Sequence, residues 1–407
     1  MNLPSIYNET WEQVVRKEIE PNFEFLATKM LVGQLISKYE DNPETLKECV
    51  DSLYGFFDKN FENPKVQDDL KKIFERDEEE LKTKLFSVEK VNSLIREGKK
   101  LIIAGDESIL SRLPKGNWIG GTIPYFMDAD GGKITDKRVY VTELPDYTFM
   151  TKTVVYNRED IYKVYTQSPK NGFSFIILPA FSDIHSDFAL NCPKYDQFAS
   201  KPLVGWVSGV DLKHVASKTP KVFDGKTASM YEQNAVVMHV VLPAYKRAEI
   251  NIVNIFSQGA GDTLTFYNDG FSAKHVMVNG IRMKLKKYLV DEAVDIRLPL
   301  VADTFGAQIN TSIQSIEKDE VSFYAPVFAG VEYRIAKPFL NYVKEFNRKM
   351  PKEINGSILF SCNCILNYQY AELEGEKTKG FTGPVTFGEV AYQLLNQTMV
   401  YLTIESI

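Results

Sequence analysis

The stretch GSILFSCNCILNYQYAELEGE, residues 356–376, decides how this chain is read. It opens as an apolar strand and ends on Cys362-Asn363-Cys364. A polar, acidic run follows. Four chemistries are open to such a Cys-x-Cys: a metal site, a redox pair, a nucleophile, or small side chains at a strand end. In a strand the two cysteines point to one face, about 7 Å apart between Cα atoms. A structural zinc site wants four Cys or His ligands at spacings such as C-x2-4-C. The four histidines, His185, His214, His239 and His275, are scattered singly, so no metal site is expected. A redox pair prefers C-x-x-C at a helix N-terminus, where the thiol pKa falls. A nucleophile needs a base nearby, and His239 serves only if its strand runs beside Cys362. The reading that remains places Cys362 at the end of a central strand, facing a pocket or the core, with Cys364 a second small filler.

Working outward, the last quarter is rich in small polar residues at strand ends. They are Ser361, Cys362, Asn363, Cys364, Asn367, Glu372, Gly383, Thr386, Gly388, Glu389, Asn396 and Thr398. Glu389, in TFGEVAY, stands among apolar neighbours and must be paired, bonded to N–H groups or protonated. Two readings stay open. The cluster grips a small polar molecule, or it staples the final hairpin. The candidate ligand-binding residues are Ser361, Cys362, Asn363, Gly388, Glu389 and Asn396. No residue is assigned a catalytic or metal-binding role, and no cofactor is expected.

Toward the N-terminus the grain alternates between strands and helices. KKLIIAGDESIL (99–110) reads as a short buried strand and a helix start. GFSFIILPAF (172–181) is a nearly continuous apolar strand, and NAVVMHVVLP (234–243) is another. PFLNYVKEFNRKM (338–350) is a clear helix. GNWIGGT (116–122) and KPLVGWVSG (201–209) share a faint apolar-Gly echo, too short to prove a repeat. Residues 1–98 differ, with few glycines and apolar residues at helical spacing in 22–39, 42–61, 64–86 and 87–98. The expected fold is α/β, mixed sheets with flanking helices, plus an N-terminal all-helical region. Its parts are 1–98, 99–245 and 246–407.

Composition bounds the function. The chain has 407 residues, 44% apolar and 25% charged, with net charge −6. That suits a globular protein and lacks a whole-chain footprint for nucleic acid. No apolar run reaches the roughly 18 residues of a membrane span. The start lacks a signal-peptide pattern, and four cysteines are too few for a disulfide scaffold. A cytoplasmic location is expected. No G-x-x-x-x-G-K-[ST] phosphate loop is present.

GSILFSCNC, then GPVTFGEVAY and NQTMVYLTI, resembles the C-terminal half of the FIST domain. The marks fall on Ser361–Cys362, Gly388–Glu389 and Asn396–Thr398. KPLVGWVSG and NAVVMHVVLP are similar to its N-terminal half, and the resemblance spans residues 100–407. It implies a bacterial intracellular sensory module for small ligands such as amino acids, with no established catalysis. FIST sequences often carry Gly-Arg soon after the Ser-Cys, whereas this chain has NCILNY. The bidentate fork for a ligand carboxylate is then missing. The function expected is a sensor or scaffold that binds a small polar molecule and acts through a protein partner or self-association. A cysteine-dependent hydrolase or transferase using Cys362, and a self-assembling structural protein, are the alternatives.

Overall fold

The computed structural model describes residues 84–406 apart from 305–306, 352–353, 355 and 379. They belong to a compact unit spanning Thr83–Ile407. The expected helices in 22–39 and 42–61, and almost all of the one in 64–86, lie outside the described residues. Where that last one enters them it is corrected, since Leu85–Phe86 is a strand. The fourth is present. Val88–Arg96 is a helix capped by the Ser87 hydroxyl, which accepts from Lys90 N. Its Val91, Leu94 and Ile95 are buried against the body.

The fold is mixed α/β, as expected, and three of its sheets repeat one plan. Each plan starts with a buried strand, a helix, and a second strand parallel to the first. These are Leu101–Gly105, Glu107–Leu110 and Trp118–Thr122 in the first. In the second they are Gly172–Pro179, Asp183–Asn191 and Leu203–Ser208. In the third they are Ser357–Cys364, Ile365–Tyr370 and Gly383–Thr386. A later strand returns antiparallel beside the first strand of each pair: Val139–Glu143, Ala235–Val241 and Met399–Ser406. Parallel pairs are covered on both faces and so read as continuous apolar runs. That is why FSFIILP was legible.

The repeats exchange strands. The hairpin of the first, Tyr125–Asp128 with Gly131–Ile134, joins the third sheet. The hairpin of the second, Val222–Asp224 with Ser229–Tyr231, joins the first sheet. That of the third, Glu389–Ala391 with Gln393–Leu395, joins the second sheet. Edge strands pass the other way. Met150–Tyr156 of the first repeat completes the second sheet, and Lys246–Val253 of the second completes the third. In the first sheet the same edge is filled by Leu85–Phe86. All three sheets have six strands in the same order.

Their inner faces share one core, with Ile102 and Ile119 from the first sheet, Phe175 and Trp206 from the second, and Phe360 from the third. Phe360 lies 4.7 Å from Phe175 and 5.7 Å from Trp206, ring to ring. The outer face of the second sheet packs Ile176 and Leu178 under Ile184 and Phe188 of its helix. Between the second and third repeats lies an insertion with its own core, including Leu264, Phe266 and Tyr333. It contains the unforeseen helix Leu285–Asp291 and the foreseen helix Tyr342–Lys349. The segment REDIYKVYTQ, residues 158–167, holds the short helical turn Ile161–Lys163.

The echo noted in the sequence now has a cause. Gly120 and Gly205 occupy matching places on second strands, opposite Ile103 and Ile176. Gly383 is their third counterpart, in FTG after WIG and LVG. A Cβ there would lie 2.9, 1.8 and 1.8 Å from the carbonyl oxygens of Ile103, Ile176 and Ser361. At Gly205 and Gly383 backbone this close excludes any side chain, while at Gly120 a side chain needs a small shift.

Candidate functional site

The third repeat carries the opening stretch. Strand alternation sends Phe360, Cys362 and Cys364 to the inner face and Ser361 and Asn363 to the outer. Ser361 donates its hydroxyl proton to Thr382 O at 2.8 Å. Cys362 Sγ lies 3.7 Å from Gly205 O. Asn363 Oδ1 accepts from Cys364 N at 2.8 Å and from Asn367 Nδ2 at 2.9 Å. Gly388 O accepts from Val207 N and from Thr386 Oγ1. Asn396 Oδ1 accepts from Ser312 N at 3.1 Å and Ser312 Oγ at 2.5 Å. All these side chains are buried. The cavity beside Ser361, Cys362 and Asn363 measures about 10 Å³, room for one water at most.

Glu389 is 0% exposed. Its Oε2 accepts from Thr398 Oγ1 at 2.8 Å and from Thr398 N at 3.4 Å, while Oε1 has no partner among the described residues. Burial outweighs these bonds and pushes its pKa up to about 8. The bond to Thr398 ties the hairpin strand Glu389–Ala391 to the start of Met399–Ser406, as the stapling reading requires.

Burial, with the carboxylate nearby, likewise holds the Cys362 and Cys364 thiols well above the ordinary range. His239 does not approach them. It shares the face of Val237, against the core of the second sheet's helix, while Cys362 sits in the central core. Its Nδ1 lies 2.7 Å from Ser174 Oγ and its Nε2 3.0 Å from the Tyr156 hydroxyl. Burial lowers its pKa to about 4, with Lys152 and Lys201 adding to the effect. The pairing of Cys362 with His239 therefore has no geometry behind it. Among the described residues no cluster of His, Cys, Asp and Glu could hold a metal ion. Thiol labelling of the native protein, mapped by peptide mass, is expected to leave Cys192, Cys362 and Cys364 unmodified over the time in which denatured protein reacts fully. Fast labelling of Cys362 would contradict the buried geometry.

Behind the packed cluster the chain opens. A cleft of about 820 Å³ lies between the helix Ile365–Tyr370 and the insertion. Its wall carries Asn367, Tyr370, Tyr342, Lys344, Arg297 and Gln397, among others. Asn367, 2% exposed, donates through Nδ2 to Asn363 Oδ1 and to Thr398 O at 3.4 Å, and its Oδ1 has no partner among the described residues. Gln397 donates to Arg297 O, and its Oε1 shares the single Ser312 hydroxyl proton with Asn396 Oδ1. The cleft is thus joined to Asn363 by one hydrogen bond from Asn367, and to Asn396 by way of Ser312. The sequence singled out Asn367 and Glu372 of this wall. It did not single out Arg297, Tyr342, Lys344 or Gln397, which mostly come from the insertion and carry no motif.

No helix of the described residues is long and apolar enough to cross a membrane. The model of the Family of unknown function (DUF6976) matches residues 86–405, so the chain belongs to that family. No curated protein and no solved structure matches it.

Proposed function

We propose that this member of the Family of unknown function (DUF6976) binds a small polar molecule in the cleft beside the third repeat. Occupancy is read out by a protein partner or by self-association. One observation carries the reading: a cleft of about 820 Å³, within the size range of small-molecule sites, has in its wall Asn367, whose buried amide oxygen finds no hydrogen-bond partner among the described residues. A buried acceptor left unpaired costs roughly 1–3 kcal/mol, and a ligand donor would recover it. The residues expected to bind the ligand, Ser361, Cys362, Asn363, Gly388, Glu389 and Asn396, support the reading as the packed backing of the wall, with Asn363 bonded to Asn367. The resemblance also supports the sensory role and a bacterial cytoplasmic setting.

The test is a thermal-shift screen of amino acids, organic acids, amines and nucleotides on wild type and on Asn347→Trp. Asn347 is an exposed cleft residue. Its replacement is expected to leave the ligand-free melting temperature nearly unchanged while abolishing stabilisation by the hit. Light scattering with and without the hit reads self-association. Equal stabilisation of both proteins would put the ligand elsewhere and end this reading.

A further inference from the structure

We propose that the ligand of this cleft is a small organic amine, bound as its cation; this deepens the reading above and rests on it. Three independent features point to a donor-bearing cation. The first is the fixed orientation of the Asn367 amide. Its Nδ2 faces two acceptors, Asn363 Oδ1 and Thr398 O, so turning the amide over would set oxygen against oxygen. The group left for a ligand is therefore an acceptor, and an acceptor calls for an N–H or O–H.

The second is charge. Arg297 is held by Asp295, Nη2 to Oδ2 at 2.7 Å and Nε to Oδ1 at 3.0 Å. The fork that would grip a carboxylate is occupied. Among the described residues the other charged groups of the wall, Lys344, Glu372 and Glu376, make no ion pair, and two of these three are carboxylates. The third is the rings. Phe256, Phe339, Tyr342 and Tyr370 line the cleft, and aromatic faces attract cations. One feature favours an anion: the helix Tyr342–Lys349 begins at the wall. Its Lys344 N–H is already taken by the Asn341 side chain at 2.8 Å.

Calorimetry with full-length protein decides the class. Three probe sets are used: ethylammonium, putrescine and agmatine; the neutral acetamide and urea; and the anions acetate and succinate. The amines are expected to bind and the anions not. Glu372→Gln/Glu376→Gln, a double change at exposed positions, is expected to weaken amine binding about tenfold at low salt and much less at high salt. Amine binding that ignores this variant lies elsewhere and overturns the proposal. Binding of succinate or acetamide in place of the amines overturns the amine class and leaves the cleft as the site. Failure of all three probe sets overturns the proposal and the reading beneath it together.

Discussion

Replacing Glu389 by glutamine is expected to remove a pH dependence of about 3–4 kcal/mol from the stability of this protein between roughly pH 5 and pH 8. The wild-type carboxyl has a pKa raised to about 8 in the folded state by complete burial. In the unfolded chain it titrates near its ordinary value. Between those two values the folded state binds more protons than the unfolded state. Stability conferred by the neutral carboxyl is then full at low pH and falls as pH rises, at about 1.4 kcal/mol per unit. Glutamine has the same shape and no proton to lose. At about pH 5 the two proteins should lie within roughly 1 kcal/mol, since a neutral carboxyl and an amide each leave one unmatched group at the Oε1 position. By about pH 8 the variant should be the more stable by several kcal/mol. The buried His185 and His239, both pushed down to about 4, act in the opposite sense, with stability lost as pH falls below about 6.5. They are common to both proteins and cancel in the difference. Urea unfolding across this range measures it. Parallel curves for the two proteins would mean that Glu389 is ionised and satisfied by a partner in the folded state.

How much of this was legible in the sequence follows from what each signal depends on. Glu389 was found because a lone carboxylate in TFGEVAY breaks an apolar pattern, and local pattern survives without any knowledge of topology. FSFIILP and LIIAG were found for the same reason. The cleft was not found, because its walls meet only in three dimensions. Asn367 and Tyr370 lie in the third repeat, while Arg297 and Tyr342 come from the insertion. Nor was the threefold plan found. Three sheets built alike need only alike patterns of burial, so WIGGT, LVGWVS and GPVT share little beyond a glycine and a terminal hydroxyl residue. The exchanged hairpins hide the plan further. Each lies in sequence inside one repeat and in space inside another, and no pairing rule based on chain neighbours would place it.

Those glycines make the plan testable. Alanine at Gly205 or Gly383 puts a methyl group 1.8 Å from the carbonyl oxygen of Ile176 or Ser361. The obstacle is backbone of the parallel neighbour, which cannot swing aside as a side chain can. Both faces of the second sheet are packed, by Trp206 and Phe175 within and Ile176 and Leu178 without. The strands must part, with loss of pairing and core contact, and the cost is expected to exceed about 4 kcal/mol, beyond the ordinary range for single changes. At Gly120 the same methyl meets Ile103 O at 2.9 Å. A shift of a few tenths of an ångström relieves that, and about 1–3 kcal/mol is expected. The ordering, Gly205 and Gly383 severe and Gly120 moderate, is the first thing to measure by urea unfolding. The second is cooperativity. No sheet is built from one repeat alone, since each borrows a hairpin from another. A clash in the third repeat must therefore loosen the second sheet, through Glu389–Ala391, as well as its own. Hydrogen exchange on Gly383→Ala, or on Val385→Ala in the same strand if alanine at Gly383 prevents folding, should show Leu101–Gly105, Gly172–Pro179 and Ser357–Cys364 losing protection together. Protection retained in the first two strands while the third opens would show three separable sheets, and the exchange of strands would then carry no energetic weight.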